Sequence, residues 1–236
     1  MEHQNYLVVT TKTWNIKSYN DVIKHYPGNW YLITELQDFT VEKVDSINPE
    51  YIFFPHWSQI VPKQILNLAT CVSFHETDLP YGRGGSPLQN LITRGHTETV
   101  ISALIMSEEL DSGPVLLKKR LSLHGLAEEI YIRSGVIVAE MIKTIIEDDL
   151  QPNDQIGETT LFKRRKPSQS EVPVELPNFI ELFNHIRMLD AGSYPKAFFE
   201  RGNFRYELSR PSLKTDEILA DVRILRIGEK NDDPIK

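Results

Sequence analysis

The chain contains a single cysteine, Cys71, among its 236 residues. One cysteine excludes an intramolecular disulfide, so we expect a protein of the cytoplasm, where thiols stay reduced. The sequence also lacks an apolar run near the ~18 residues that a membrane span requires. Its first residues have neither the basic start nor the apolar stretch of a signal peptide. No membrane partner is therefore expected.

An excess of positive charge is missing as well. The sequence has 26 lysines and arginines against 33 acidic residues, which gives a formal net charge of −7. Because phosphate contacts need clustered basic side chains, this balance argues against a nucleic acid such as tRNA as partner, while a local basic patch stays open. The run KRRK at 163–166 is interpreted first as a solvated loop and second as a contact to a ligand's phosphates.

Two common ligand motifs are incomplete in this sequence. The stretch GRGG at 82–85 lacks the Lys-Ser/Thr pair of a Walker phosphate loop. The stretch HETD at 75–78 has no matching group of histidines or cysteines elsewhere, so no metal is expected. The glycines of 82–85 instead favour a tight turn or a close approach of the backbone to a ligand.

Short apolar runs alternate with helix-like segments through the first part of the chain. This alternation favours right-handed crossovers and an α/β fold, a Rossmann-like, mostly parallel sheet with flanking helices. A hairpin and a long helix complete this part. The predicted strands are 6–11, 29–35, 51–57, 71–75, 99–107 and 115–123, and the predicted helices are 18–27, 40–49, 61–69, 86–95 and 126–148.

The composition changes near residue 150. The following stretch, up to about 177, is polar and contains several prolines, which is typical of a connecting segment. A helix at 178–189 and strands at 204–210 and 220–227 come after it. We therefore predict a Rossmann-like catalytic domain over 1–150, and a connecting loop with a small C-terminal α+β subdomain over 151–236.

Two residues with acid–base chemistry stand at the ends of predicted strands. His75 ends the fourth strand, and Asp111 lies in the turn of the hairpin. Open parallel sheets bind ligands at the carboxyl ends of their strands. A carboxylate beside a histidine selects the ring tautomer and stabilises the imidazolium, a common acid–base arrangement. Spacing alone leaves two alternatives, a catalytic pair or two polar residues exposed at strand ends.

Four motifs follow one another between about 51 and 120: a strand ending in SFH, the loop TDLPYGRGG, the helix SPLQNLI and the turn LDSG. In order and spacing they resemble the core of the folate-dependent formyltransferases. The later stretches LFKRRKPSQSEV and HIRMLDAGSYPKAFFERGNFRYELSR resemble the amino-sugar members of that family. The resemblance implies an N-formyltransferase that moves a formyl group from 10-formyltetrahydrofolate to the primary amine of a nucleotide-linked amino sugar. A UDP-4-amino-4,6-dideoxy precursor of a nonulosonic acid is one such acceptor.

The same resemblance implies roles for single residues. His75 would stabilise the oxyanion and handle the proton, and Asp111 would position His75 and promote proton loss from the amine. Ser73 stands where the family has asparagine, on the face of the strand that His75 shares. The residues expected to hold the folate are Trp57, Gln59, Ile60, Val61, Leu79, Glu108, Glu109 and Leu110. Those expected to contact the acceptor are Tyr81, Arg83, Arg94, Arg187 and Tyr194.

The departure at Ser73 leaves three interpretations open. The hydroxyl acts directly or through a water, another side chain replaces it, or the enzyme is slow or inactive. Two further functions also stay open: a formyltransferase acting on an aminoacyl or peptidyl amine, and a non-catalytic folate-binding relative. The expected partner is a small nucleotide sugar with no nucleic acid, and the resemblance adds a homodimer.

Overall fold

The computed structural model describes residues 4–192 and 194–227. They pack as two compact units. One contains the residues up to 124 together with 129–164, and the other contains 125–128 together with the residues from 165 onward. The predicted division near residue 150 stays a prediction. In the described part of the chain, no helix is both long and apolar enough to cross a bilayer.

A six-stranded sheet forms the centre of the first unit. In chain order the strands of this unit are β1 (Asn5–Val9), β2 (Asn29–Ile33), β3 (Tyr51–Pro55), β4 (Thr70–His75), β5 (Arg83–Gly84), β6 (Glu98–Ile105), β7 (Val115–Ser122) and β8 (Leu161–Phe162). The central sheet has the order β2-β1-β3-β4-β6-β7. Strands β2, β1, β3 and β4 are parallel, β6 is antiparallel to β4, and β7 is antiparallel to β6. The predicted mostly parallel sheet is confirmed. The short strands β5 and β8 pair with each other in parallel.

Helices follow most of the parallel strands, as the alternating pattern predicts. Their bounds are α1 (Thr13–Asp21), α2 (Val41–Ile47), α3 (Lys63–Leu66), α4 (Pro87–Thr93), α5 (Ala127–Glu147) and, in the second unit, α6 (Phe179–Arg187). Thr40 caps α2, because its Oγ1 accepts a hydrogen bond from the Lys43 N–H at 3.2 Å. α1 begins five residues before the predicted helix and gives way to a 3-10 turn at Ile23–His25.

The two faces of the sheet bury different sets of side chains. Phe54 packs in a core with Val44 of α2 and Ile65 of α3. Phe53 points to the opposite face, because side chains alternate along a strand, and its ring stacks on Trp30 with centroids 6.0 Å apart.

Helices α1 and α5 contact each other. Ser18 of α1 donates a hydrogen bond to the Gly135 carbonyl of α5 at 3.1 Å, and Tyr26, just beyond the 3-10 turn, donates to the Ala139 carbonyl at 3.1 Å. Tyr26 also contacts Trp30, the ring that stacks on Phe53. The α1 and α5 side of the sheet is therefore the Phe53 face.

The second unit contains a three-stranded antiparallel sheet and α6. Its strands are β9 (Ala197–Arg201), β10 (Phe204–Leu213) and β11 (Ile218–Arg226), in the order β11-β10-β9, and α6 packs against β10. The predicted small α+β subdomain is confirmed. The sequence did not predict β9, nor β8 within the stretch interpreted as a connection.

Candidate active site

His75 lies at the carboxyl edge of the parallel strands, where β4 ends, and its ring is buried. Its Nε2 is 2.8 Å from the carbonyl oxygen of Gly82. Because a carbonyl oxygen only accepts, Nε2 carries the proton and donates it to Gly82. Its Nδ1 lies 3.7 Å from Oδ2 of Asp111. The structure thus brings the predicted pair together in a charge contact longer than a hydrogen bond.

Asp111 is held in an unusual backbone conformation in the turn after β6. Its φ is +51°, a value that non-glycine residues rarely adopt and that recurs at functional sites. Its Oδ2 accepts a hydrogen bond from the backbone N–H of Gly84 at 2.9 Å. Oδ2 of Asp111 is therefore held by the loop at 82–85 and also faces His75.

The loop at 82–85 contacts both members of the pair, through the Gly82 carbonyl and the Gly84 N–H. Gly84 has φ +106°, and a Cβ added there would meet the backbone oxygen of Phe162 at 2.4 Å. The pairing of β5 with β8 causes this closeness. In this structure Gly84 makes its close backbone approach to Phe162 of β8, and the predicted approach of these glycines to a ligand stays a prediction.

Arg83, predicted to contact the acceptor, is bonded within the protein. Its Nε and Nη2 donate to Oε1 of Gln155 at 3.0 and 2.8 Å. Gln155 in turn donates through Nε2 to the carbonyls of Asp111 and Gly113, both at 2.8 Å. Sequence reasoning missed Gln155, because one amide in a polar stretch has no recognisable pattern.

Ser73 lies two residues before His75 in β4, between Phe54 of β3 and Leu104 of β6 in the strand register. Alternation along the strand places it on the same face as His75. It is partly buried. Its part in the chemistry stays a prediction.

Two of the predicted folate residues, Trp57 and Val61, pack on the Phe54 face. Trp57 contacts the rings of Phe39 and Phe54 with centroids 5.7 and 5.4 Å apart. Its indole N–H is buried and finds no hydrogen-bond partner in the part of the chain that the structure describes. A buried donor without an acceptor is costly, so it marks a place where a ligand's acceptor atom fits.

The two segments predicted to hold the folate are also joined to each other. Lys63, at the start of α3, forms an ion pair with Glu108 at 2.5 Å. Ile60 and Leu110 are 94% and 70% exposed, which is high for such apolar side chains. Gln59 and Glu109 are exposed as well, whereas Val61 and Leu79 are buried and pack in the protein core.

The other four predicted acceptor residues divide into two groups. Tyr81 and Arg94 gather around Phe162, with the Tyr81 ring 5.3 Å and the Arg94 guanidinium 4.5 Å from its ring centroid. The other group, Arg187 and Tyr194, belongs to the second unit. There Arg187 is buried and donates to the Gly125 carbonyl at 2.9 Å.

A second histidine–carboxylate pair, which the sequence did not predict, lies at the same strand ends. Nδ1 of His56 is 3.2 Å from Oε1 of Glu76. Burial opposes ionisation of Glu76, but the hydrogen bond from His56 and the charges of His56 and His75 together lower its pKa. Only the folded backbone reveals this pair, since its members are 20 residues apart.

Other reactive groups are inert or dispersed. Cys71 is buried, and burial raises the pKa of its thiol to about 12, which agrees with its interpretation as a core residue. Within residues 4–192 and 194–227, no three side chains among His, Cys, Asp and Glu gather in a way that would hold a metal ion.

Comparison with known proteins gives independent information on this site. A family model described as "Formyl transferase" matches residues 19–129, and one described as "Methionyl-tRNA formyltransferase, C-terminal domain" matches 167–225. The solved structure of a methionyl-tRNA formyltransferase from Clostridium thermocellum is 46% identical, with a TM-score of 0.90, over 94% of this chain and 99% of that chain. The chain belongs to the formyltransferase family. The predicted enzyme family is thereby confirmed.

More distant relatives give the limits of this likeness. The methionyl-tRNA formyltransferase of Sulfurimonas denitrificans is 30% identical over 151 residues, which cover 63% of this chain and 50% of that protein. Our chain spans about half the length of the curated relatives that it matches. A 4-N formyltransferase from Francisella tularensis is 14% identical with a TM-score of 0.66, over 84% of this chain and 93% of that chain, which shows the fold alone.

The predicted amino-sugar acceptor, with its nucleotide-sugar partner and no nucleic acid, is wrong. The similar proteins at 30% and 46% identity are named methionyl-tRNA formyltransferases. The net charge was a poor guide to a nucleic-acid partner, because it averages over the chain, whereas phosphate contacts depend on local clusters of basic residues. Asn90 of α4 donates a hydrogen bond to the Lys163 carbonyl at 3.1 Å and accepts one from Arg94 at 2.9 Å. Two basic residues, Arg94 and Lys163, therefore lie close to that helix.

Proposed function

We propose that the chain transfers a formyl group from 10-formyltetrahydrofolate to the α-amino group of methionyl-tRNA. The observation that carries the proposal is the 46% identity to a methionyl-tRNA formyltransferase across nearly the whole of both chains. The 3.7 Å contact between His75 and Asp111 supports it, because these are the two residues to which the family resemblance gives acid–base roles. The acceptor is thus the aminoacyl amine that the sequence left open as an alternative.

The folate side of the site fits a flat ligand with hydrogen-bond acceptors. The buried indole N–H of Trp57 needs an acceptor, and the exposed apolar side chains of Ile60 and Leu110 offer surface to a ring system. Trp57, Ile60, Glu108 and Leu110 would hold the donor here. When bound, the donor supplies a formyl carbon that is open to attack by an amine.

His75 provides both a proton acceptor and a hydrogen-bond donor. In the neutral ring Nε2 donates to Gly82, so Nδ1 holds the lone pair and takes up a proton. The carboxylate of Asp111, 3.7 Å away, stabilises the imidazolium that results. A charged ring donates more strongly than a neutral one and stabilises negative charge on the reacting oxygen.

Ser73 stands at the position where the family has asparagine. Its hydroxyl lies on the same face of β4 as His75. A hydroxyl reaches less far than an amide but donates one hydrogen bond, directly or through a water. Donors aimed at a developing oxyanion are each worth ~10²–10³ in rate. We assign this supporting role to Ser73.

The acceptor side fits a partner with phosphates. Tyr81 and Arg94 meet around Phe162, and His96 lies 3.3 Å from the Tyr81 hydroxyl. Arg94 and the nearby Lys163 add positive charge beside the loop that contacts His75 and Asp111. Stacking and basic side chains are the common means of holding a single-stranded nucleic-acid end.

The proposal is tested with 10-formyltetrahydrofolate labelled in the formyl group. The protein is incubated with methionyl-tRNA, uncharged tRNA or N-acetyl-methionyl-tRNA, and the amino acid released by mild base is separated by chromatography. Label is expected in methionine only where the amine is free. Labelling of another primary amine but not of methionyl-tRNA would contradict the acceptor. Binding of the donor with no turnover on any amine would support the non-catalytic alternative.

A further inference from the structure

We propose that His56, oriented by the buried Glu76, is a second acid–base group of this site that takes a proton from the acceptor's ammonium group. The inference rests on the proposed function, since it concerns an amine acceptor. An amine attacks only in its neutral form, so a proton must leave the nitrogen before the new bond forms.

His56 occupies a place next to the predicted catalytic histidine. Pro55 of β3 pairs in register with Phe74 of β4, so His56 and His75 follow side by side at the carboxyl edge of the sheet. The φ of His56 is +51°, which turns its side chain out of the regular alternation of the strand. Its ring meets Trp14 of α1 and Tyr131 of α5, with centroids 5.4 and 4.6 Å apart.

Buried polar groups hold this unusual backbone in place. The carbonyl of Pro55, which precedes His56, accepts hydrogen bonds from Thr10 Oγ1 at 3.1 Å and Asn15 Nδ2 at 3.2 Å. Both donors are buried. A strained conformation persists only where its surroundings over-determine it, and such conformations gather at functional sites.

The pair fixes which nitrogen of His56 is available. The carboxylate of Glu76 only accepts, so Nδ1 of the neutral ring carries the proton and donates it at 3.2 Å. Nε2 then holds the lone pair, and among the described residues it has no hydrogen-bond partner. The side chain of His56 is 22% exposed and that of Glu76 is 8% exposed. Nε2 of His56 is thus an accessible proton acceptor, and the buried carboxylate of Glu76 lies on the other side of the ring.

The two histidines serve opposite sides of the edge. Ser73 and His75 lie on the Phe54 face, where Trp57 and Val61 pack, whereas the ring of His56 contacts α1 and α5. An acceptor that approaches the formyl carbon must come from the side that the donor leaves free. This places the acceptor's nitrogen beside His56.

The proton transfer balances without a further reactant. The N–H bond of the ammonium breaks, an N–H bond forms at Nε2, and Glu76 stabilises the imidazolium until solvent takes the proton. The titratable groups around His56 are Glu76 and His75 at the end of β4, Tyr131 of α5, and Lys12, whose Nζ is 6.0 Å from the Trp14 ring centroid. Glu76 acts through His56 and is a positioning residue.

The first test measures proton transfer through its pH dependence. His56→Asn is expected to lower the transfer rate ~10²–10⁴-fold below the acceptor amine's pKa. The loss should shrink as pH rises and the amine becomes neutral by itself, while affinity for tetrahydrofolate stays unchanged. Glu76→Gln should show the same trend with a smaller loss, and the exposed control His25→Asn should match wild type. A loss that is the same at every pH, or full activity of His56→Asn, overturns the inference.

The second test does not depend on turnover. Side-chain nitrogen-15 spectra of the wild-type protein should show His56 protonated on Nδ1, and methionine methyl ester should shift its Nε2 resonance. Glu76→Gln should weaken that shift. If the protein formylates no methionyl-tRNA, the proposed function fails, while these spectra still decide the role of His56. A proton on Nε2, or no shift with the ester, overturns it.

Discussion

At the scale of the residue, the environment of His75 assigns different tasks to its two nitrogens. The Gly82 carbonyl holds the proton on Nε2, so Nδ1 is left to face Asp111. The role that we propose for Asp111 is therefore electrostatic rather than that of a direct hydrogen-bond partner.

Asp111→Asn tests this electrostatic role. The asparagine Oδ1 still accepts from the Gly84 N–H, so the fold should survive, but the negative charge is lost. We expect kcat to fall ~10²–10⁴-fold with a nearly unchanged melting temperature, measured by steady-state transfer and thermal unfolding. Asp21→Asn, which breaks an exposed ion pair with Lys17, is the matched control. Full activity of Asp111→Asn would remove Asp111 from the mechanism.

Ser73 gives a second residue-level prediction. Ser73→Ala deletes the hydroxyl and should reduce kcat ~10²–10³-fold, the usual effect of losing one oxyanion donor. Ser73→Asn restores the amide of the family motif and should keep or raise activity. Turnover by Ser73→Ala at the wild-type rate would mean that this position takes no part in the chemistry.

Sequence alone identified residues that follow a local motif, and it missed partners that depend on the folded backbone. His75 and Asp111 belong to recognisable stretches at strand ends. Glu76 and His56 meet only because of the left-handed turn at His56, and Gln155 reaches Asp111 across 44 residues. Contacts between residues so far apart in the chain leave no periodic pattern in the sequence.

At the scale of the element, the short pair of β5 and β8 links the loop beside His75 and Asp111 to a distant stretch of chain. The parallel pairing of Gly84 with Phe162 positions the loop whose backbone contacts both His75 and Asp111. The stretch that reads as a connection thus supports the site.

Gly84→Ala tests this support. A Cβ would meet the Phe162 oxygen at 2.4 Å, in addition to the strain of an alanine at φ +106°. Gly95→Ala is the matched control, because Gly95 has φ +79° but nothing within 4 Å of its added Cβ. We expect about 1–2 kcal/mol of destabilisation in the control, and a larger loss with reduced kcat in Gly84→Ala. Equal stability of the two variants would contradict the close packing of the loop.

The elements that the sequence predicts well are those long enough to show a period. The parallel strands and α5 lie close to their predicted bounds. β8 has two residues and β9 has five, of which three are apolar and adjacent, so neither shows an alternation. Their pairing depends on distant partners, and sequence patterns do not record it.

At the scale of the whole molecule, the buried charge of Glu76 couples stability to pH. The lowered pKa of this carboxyl means that the folded state favours the ionised form more than the unfolded state, where the ordinary value is 4.5. Its contribution to the free energy of unfolding is present above that value and is lost as pH falls through the lower folded value.

We therefore expect Glu76→Gln to be less stable than wild type at pH 7 by about 1.5–3 kcal/mol, the usual worth of a hydrogen bond to a charged group. The difference should shrink when the pH falls below 4.5. Denaturant unfolding across this range measures it, with the exposed Glu35→Gln as control. A difference that stays constant with pH would argue against an ionised Glu76.

The proposed tRNA acceptor is a property of the whole molecule that composition did not predict. A net charge of −7 is compatible with a nucleic-acid partner, because net charge averages over the whole chain whereas phosphate contacts depend on local basic clusters. Arg94, Lys163 and Arg164 lie close in space to the loop at 82–85, although Lys163 and Arg164 are far from Arg94 in sequence.

The most direct test of the central claim is single-turnover transfer from formyl-labelled 10-formyltetrahydrofolate to methionyl-tRNA by the wild-type protein and by His75→Ala. We expect acid-stable label in N-formylmethionine with wild type, and a rate lower by ~10²–10⁴-fold with His75→Ala at unchanged affinity for tetrahydrofolate. Equal rates for the two proteins, or no formylmethionine from the wild type under saturating donor, would contradict it.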